Sequence, residues 1–312
     1  MEYLLLLPAA ALLYGVLVVA PSWVCYRSVF SRRRVRTFDQ VDLSATYYAA
    51  FAQRLKNAVT FLRERPHETV NVTANDGVVL SGAFWDAGAP RTALLLPGYG
   101  GVPLCQFGLQ AETLYRAGFN LLLVDQRAHG ASGGSQSTLG MKEADDVLAW
   151  TEEVRRRVPG GTVLIYGISM GCPAAAFAAD RLDPETVRGL ILDCGFSSPE
   201  EQILWDLRKR HLPRRLMMPW VRLFIRRQIG KDPRQSVTDP LRRTAIPALF
   251  LHGEEDRTVP IAQGKQNYGA CASPKACLWV PGAQHTTALT AGGKAAEETL
   301  FSFLRGLCRF EI

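Results

Sequence analysis

Six short apolar runs, TALLLPG, NLLLVDQ, TVLIYG, GLILDCG, ALFLHG and ACLWVPG, recur between residues 92 and 282 and constrain the fold more than any other feature. A strand that is apolar at successive residues, and not only at alternate ones, has to be covered on both faces. Helical stretches separate most of the runs, so they read as an α/β domain with a mostly parallel central sheet and helices on both faces. Upstream, ETVNVTANDGVVLSGAFW reads as a hairpin turned at Asn75-Asp76-Gly77. The 312 residues are enough to bury a sizeable core. The seven cysteines, Cys25, Cys105, Cys172, Cys194, Cys271, Cys277 and Cys308, are scattered and odd in number. They lack zinc-site pairs and the density of a disulfide scaffold, and read as thiols in a reducing compartment.

No charged residue lies between Glu2 and Arg27. At about 1.5 Å per residue, YLLLLPAAALLYGVLVVAPSWV can cross a hydrocarbon core of about 30 Å. Residues 1–26 therefore read as a transmembrane anchor. A cleaved signal peptide and a core helix are the alternatives, but the run opens Met-Glu-Tyr without a basic stretch and its arginines come afterwards. Arg27, Arg32, Arg33, Arg34 and Arg36 follow directly. Such flanks stay in the cytoplasm, so the domain beyond them is expected there. VDLSATYYAAFAQRLKNAVTFLRERP has helical spacing up to Pro66 and reads as a connecting helix. The expected division is anchor 1–26, basic juxtamembrane segment and connecting helix 27–66, and domain 67–312.

Within TVLIYGISMGCPAAAFAAD, residues 162–180, a serine stands between two glycines where a strand gives way to a helix. Alone, this is an ordinary turn with a serine N-cap. It is also what an exposed nucleophile requires: a sharp turn, small neighbours at Gly167 and Gly171, and the Ser169 hydroxyl at a helix N-terminus that favours negative charge. A hydroxyl needs a base to take its proton. Of the five histidines, His285 is best placed, in a glycine-containing loop beyond the last apolar run. His129 and His252 read as loop-holding residues, and His67 and His211 as surface residues.

The base in turn needs a carboxylate to hold its tautomer. Asp256, in LHGEEDRTVP, fits best, with Glu254, Glu255 and Asp193 as alternatives. Two backbone N–H groups are expected to bind the developing oxyanion: that of Met170, after the serine, and that of Tyr99 in the PGYGG loop. Such a site calls for no metal and no organic cofactor.

The ordered set LLLPGYGG, VDQRAHGASGG, YGISMG, LFLHGEEDRTVP and GAQH resembles the α/β-hydrolase superfamily, in its branch of serine aminopeptidase-like and membrane-anchored α/β-hydrolase-domain proteins. The resemblance runs from about residue 68 to 310. It implies Ser169 as nucleophile, Asp256 as acid and His285 as base, together with a helical lid. Pro97-Gly98 departs from the His-Gly that many relatives carry at the oxyanion loop.

The lid is expected at about 199–240. From Arg208 to Arg234 ten Lys or Arg residues stand against the single acid Asp232, a net +9 in a chain of +7. Met217, Trp220, Val221, Phe224 and Ile225 recur at helical spacing, while Arg215, Arg222 and Arg226 share another face. This basic amphipathic helix either covers the core or meets an anionic membrane surface. No recognition motif accompanies the charge, so nucleic acid is not an expected partner. The sequence thus reads as a single-pass, membrane-anchored serine hydrolase of a small-molecule or lipid acyl ester or thioester, working through an acyl-serine. An acyltransferase, a peptidase and a non-catalytic membrane scaffold are the alternatives, and the oligomeric state is not readable.

Overall fold

The computed structural model describes residues 2–34 and 36–308; Met1, Val35 and residues 309–312, which the expected domain bounds take in, lie outside the described residues. The chain starts as one rod: α1 (Glu2–Tyr14), a π-helical turn (Gly15–Val19) and α2 (Ala20–Phe30). Over Leu7–Phe30 it is long and apolar enough to cross a membrane. Leu7, Leu12, Leu13 and Leu17 are exposed. The rod passes residue 26 and continues to Phe30, because Ser22, Tyr26 and Phe30, four residues apart, bury one face.

The connecting helix is shorter than the spacing suggested. Residues 38–51 form three 3-10 turns, and only α3 (Ala52–Arg63) is α-helical. Asp42 accepts the Ser44 N–H and the Thr46 hydroxyl accepts the Tyr48 N–H, local bonds that compete with a helical ladder.

The hairpin is β1 (Glu68–Thr73) and β2 (Val79–Trp85), as expected. Then follow β3 (Arg91–Leu96), α4 (Pro103–Arg116), β4 (Asn120–Val124), α5 (Glu143–Arg157), β5 (Thr162–Ile168), α6 (Gly171–Ala178) and β6 (Val187–Asp193). The lid insertion holds α7 (Pro199–Lys209), α8 (Arg214–Ile229) and α9 (Thr238–Arg243). The domain closes with β7 (Ala248–Gly253), α10 (Ile261–Ala270), β8 (Lys275–Val280), α11 (Ala288–Ala291) and α12 (Gly293–Cys308).

All six apolar runs are strands of one eight-stranded sheet, ordered β1-β2-β4-β3-β5-β6-β7-β8 and parallel from β4 onward. Alternate residues feed opposite cores. Leu94 and Leu96 join α5 and α6 on one face, and Ala93 and Leu95 join α3, α4 and α12 on the other. The strand order turns back at β3, between β4 and β5, and the carboxyl ends beside such a switch point open a crevice for ligands.

In the lid, the apolar stripe and two of the three arginines have partners. On α8, Met217, Met218, Val221, Ile225 and Ile229 are buried. The half-buried Phe224 meets Trp23 of α2 edge-on at 5.0 Å, and Trp220 Nε1 donates to the Tyr14 hydroxyl at 3.0 Å. The apolar stripe is therefore already partnered by the N-terminal rod. Arg222 forks onto the Glu200 carboxylate at 2.6 and 2.5 Å, and Arg226 pairs with Asp232 at 2.5 Å. Glu200 lies outside the window whose charges were counted, so +9 overstates the free cationic charge; of the three arginines only Arg215 makes no ion pair among the described residues.

Candidate active site

Ser169 follows β5 with φ +54°, a left-handed conformation that is rare for any residue but glycine. Its neighbours show why the turn needs glycines. A Cβ on Gly167 would lie 2.4 Å from the Gly171 carbonyl oxygen, and one on Gly171 would lie 1.9 Å from that of Leu96. The Ser169 N–H donates to the Asp193 carbonyl at 2.9 Å, tying the elbow to the end of β6. The hydroxyl is thereby raised above the carboxyl edge of the sheet, at the N-terminus of α6.

His285 comes from the loop after β8 and Asp256 from the loop after β7. The Ser169 Oγ lies 2.9 Å from His285 Nε2, and His285 Nδ1 lies 2.6 Å from Asp256 Oδ2. All three side chains are buried. Asp256 Oδ1 accepts the N–H groups of Thr258 and Val259, at 2.8 and 2.9 Å. Burial alone would raise its pKa, but bonds and charge from His252 and His285 outweigh that and hold the carboxyl well below the usual carboxylate range. Asp256 therefore stays ionised at neutral pH. Glu254 and Glu255 are exposed, which removes them as alternatives. Asp193 is buried, but its Oδ2 accepts the Tyr166 hydroxyl at 3.1 Å and its Oδ1 has no partner among the described residues.

The other histidines fall where expected. His252 Nε2 donates to the Val259 carbonyl at 2.9 Å and lies 3.4 Å from Asp256 Oδ2, steadying the acid's loop. His129 bonds the Arg127 carbonyl through Nδ1 at 2.9 Å and accepts the Gly100 N–H on Nε2 at 3.0 Å. Burial lowers its pKa, which keeps the neutral ring that this pairing needs. His67 and His211 are exposed.

The PGYGG loop passes directly over the serine, since a Cβ on Gly98 would lie 2.9 Å from that of Ser169. The loop is a turn closed by the Gly101 N–H on the Gly98 carbonyl at 3.3 Å, with Gly100 at φ +63°. Gly98 donates its N–H to Gln106 Oε1 at 2.7 Å. The N–H groups of Tyr99 and Met170 make no hydrogen bond among the described residues. Cys194 also sits within 4.8 Å of the donor atoms of Asp256 and His285. Those two donors face each other at 2.6 Å, a proton-sharing distance shorter than the roughly 3.3 Å between ligands of one tetrahedral zinc.

One contribution was missed from the sequence. A cavity of about 770 Å³ opens beside His285, and Val41, Tyr47 and Tyr48 from the 3-10 turns form one wall, facing Val102 and Gln106. The Tyr48 hydroxyl bonds Thr286 Oγ1 at 2.7 Å, and the Tyr47 hydroxyl lies 3.2 Å from Thr258 Oγ1. Thr286, next to the histidine, has φ +65°, so the tyrosine supports a strained turn. The paired tyrosines of ATYYAA were the available signal, but turns without periodicity give no hint of what they face.

A serine bonded to a histidine that is bonded to a carboxylate is equipped for acyl transfer. The family model described as alpha/beta hydrolase fold matches residues 94–230. An esterase of Pyrococcus furiosus, Pf2001, superposes with a TM-score of 0.66 over 89% of this chain and 98% of its own, at 20% identity. The chain has the α/β-hydrolase fold. Among sequence relatives, YqkD of Bacillus subtilis is 28% identical over 193 residues, 60% of this chain and 62% of its own length. YfhR of Escherichia coli K12 is 25% identical, over 72% of this chain and 75% of its own. The zebrafish (Danio rerio) lysophosphatidylserine lipase ABHD12 is 28% identical over 53% of this chain and 42% of its own, so the chain spans less than half of that relative.

Proposed function

We propose that this protein is a membrane-anchored serine hydrolase that cleaves an acyl ester or thioester through an acyl-serine on Ser169. The observation that carries the reading is the unbroken chain of short contacts from Ser169 Oγ through His285 to Asp256. Ser169 Oγ attacks the acyl carbon while His285 Nε2 takes its proton. The oxyanion sits between the N–H groups of Tyr99 and Met170. The bond to the leaving group then breaks, and the alcohol or thiol departs with the proton from His285. Water repeats the sequence on the acyl-serine, giving up a proton to His285 and releasing the acid and the free Ser169 hydroxyl. Ionised Asp256 stabilises the imidazolium at both stages.

The substrate class rests on the surroundings. A second cavity, of about 550 Å³, lies between the N-terminal rod and the lid, walled by Val16, Ala20, Val24, Ile203, Leu207 and Met217. An apolar space beside a candidate span suits the acyl chain of a lipid, and the name of the ABHD12 relative points the same way. The rod would hold the domain at the bilayer, with its exposed Leu7, Leu12 and Leu13 toward the lipid and the hydrolase domain on the cytoplasmic side. The test is turnover of p-nitrophenyl butyrate by folded full-length protein with Ser169→Ala. Turnover should fall to the uncatalysed background; wild-type turnover would refute the reading. An active alkaline phosphatase fused to the C-terminus on the far side of the membrane would refute the orientation.

A further inference from the structure

The expected juxtamembrane arginines do not simply flank the rod. Just beyond α2, Arg32 donates to the carbonyls of Ser132, Gly134 and Gly130, at 2.7, 3.0 and 2.9 Å. Its own N–H bonds the Ser135 carbonyl at 2.8 Å, and the Arg33 N–H bonds that of Ala128 at 2.9 Å. Residues 31–33 are thereby clamped along the loop after β4. From that clamp Arg33 reaches the oxyanion loop. Its Nε donates to the Tyr99 hydroxyl at 2.5 Å, and its guanidinium carbon lies 4.9 Å from the centre of the Tyr99 ring. The same hydroxyl donates to the Ser28 carbonyl at 3.0 Å, while Arg33 also donates to that carbonyl. The His129 ring closes the other side, edge-on at 5.6 Å.

This matters because the loop's other hydrogen bonds fall on either side of Tyr99. Glycines precede and follow Tyr99, and glycine leaves a backbone free to turn. Gln106 holds the Gly98 N–H and His129 holds the Gly100 N–H. Tyr99, between them, makes no backbone hydrogen bond among the described residues and is held through its side chain, by groups from the N-terminal segment and His129.

We infer that Arg33 is a positioning residue: by gripping the Tyr99 side chain it aims the Tyr99 N–H at the substrate oxyanion, so that docking of the membrane-proximal segment sets catalytic power. The inference rests on the acyl-serine reading and adds a regulation of that site. An oxyanion donor acts on the transition state and little on the ground state, so its misalignment lowers kcat and leaves KM nearly unchanged. Losing a donor outright costs about 100- to 1,000-fold, and a donor merely left loose should cost less.

The test uses the full chain in neutral detergent, with Arg33→Gln, Arg33→Lys, Tyr99→Phe and the double Arg33→Gln/Tyr99→Phe. The exposed Arg34→Gln and the inactive Ser169→Ala serve as references. Arg33→Gln should lower kcat for p-nitrophenyl butyrate about tenfold or more, with KM within about twofold. Affinity for a trifluoromethyl ketone, which forms an oxyanion on Ser169, should fall by the same factor as kcat. The double variant should be no slower than the slower single, because both break one linkage. Arg33→Lys keeps the charge but not the paired bond and stacking, and should fall between; it carries the test if the glutamine variant does not fold. Unchanged kcat and inhibitor affinity in Arg33→Gln or Arg33→Lys, a loss confined to KM, or additive losses in the double would overturn the inference while leaving the hydrolase reading standing. Turnover retained in Ser169→Ala would instead overturn that reading.

Discussion

The turn around Ser169 and the cap formed by α2 and α8 are held by different physics. At the turn, backbone meets backbone: the spaces that a Cβ on Gly167 or Gly171 would need are already taken by carbonyl oxygens. In the cap, side chains meet side chains, through the rings of Trp23, Tyr26 and Phe224 and the Arg222–Glu200 fork. Backbone contacts cannot yield by a rotamer change, whereas rings and guanidinium groups can. The turn should therefore fail abruptly on small changes, and the cap should degrade by degrees.

The largest effect should come from Gly171→Ala, whose methyl carbon would sit 1.9 Å from the Leu96 oxygen. Its thermal unfolding should show loss of several kcal/mol, or no folded protein at all. A melting temperature near the wild type would break the comparison at its firmer end. Next comes Asp256→Asn, which removes the charge facing His285 while keeping the shape. It should cut kcat between about a hundredfold and ten-thousandfold with the fold intact. A change below about tenfold would move the acid's role elsewhere, with buried Asp193 the first place to look.

These two predictions fall on features that were legible as sequence. The strands were readable because a sheet covered on both faces needs unbroken apolar runs. The turn at Ser169 was readable because only glycines fit beside it, and the approach of His285 and Asp256 because each follows such a run. The strand order was not readable, since β3 and β5 are adjacent only once the chain crosses over. Nor was the role of residues 31–51. Arg32 binds carbonyls about a hundred positions away, and short 3-10 turns leave no period to recognise. The pairing of Arg222 was not readable, because a charge count in a window cannot see Glu200 folding back onto it.

In the cap, Glu200→Gln should cost about 1 kcal/mol, since the half-exposed Arg222 loses a forked partner but keeps access to water. A loss of several kcal/mol in thermal unfolding would mean the cap is as rigid as the turn. A pH-dependent effect of similar size is expected at Asp193, beneath the elbow. Burial pushes its carboxyl up to about 6, against the bond from Tyr166. An unfolded aspartate titrates near 3.9, so the folded state holds the proton more tightly between those values. Stability from this group is present at low pH and lost as pH rises toward about 6. Asp193→Asn should therefore gain on the wild type by about 1 kcal/mol between pH 5 and pH 8. A melting-temperature difference independent of pH would contradict that. The smallest effect belongs to Arg226→Gln, within about 0.5 kcal/mol, because its partner Asp232 is also held by Arg234.

The account stands most directly on Ser169 as the atom that takes the acyl group. Full-length protein treated with a fluorophosphonate, digested and analysed by mass spectrometry should carry one phosphonyl group on the peptide containing Ser169. Labelling should disappear in Ser169→Ala and slow sharply in His285→Ala. Enzyme that turns over esters but carries the label on another residue, or labels equally well without Ser169, would contradict it.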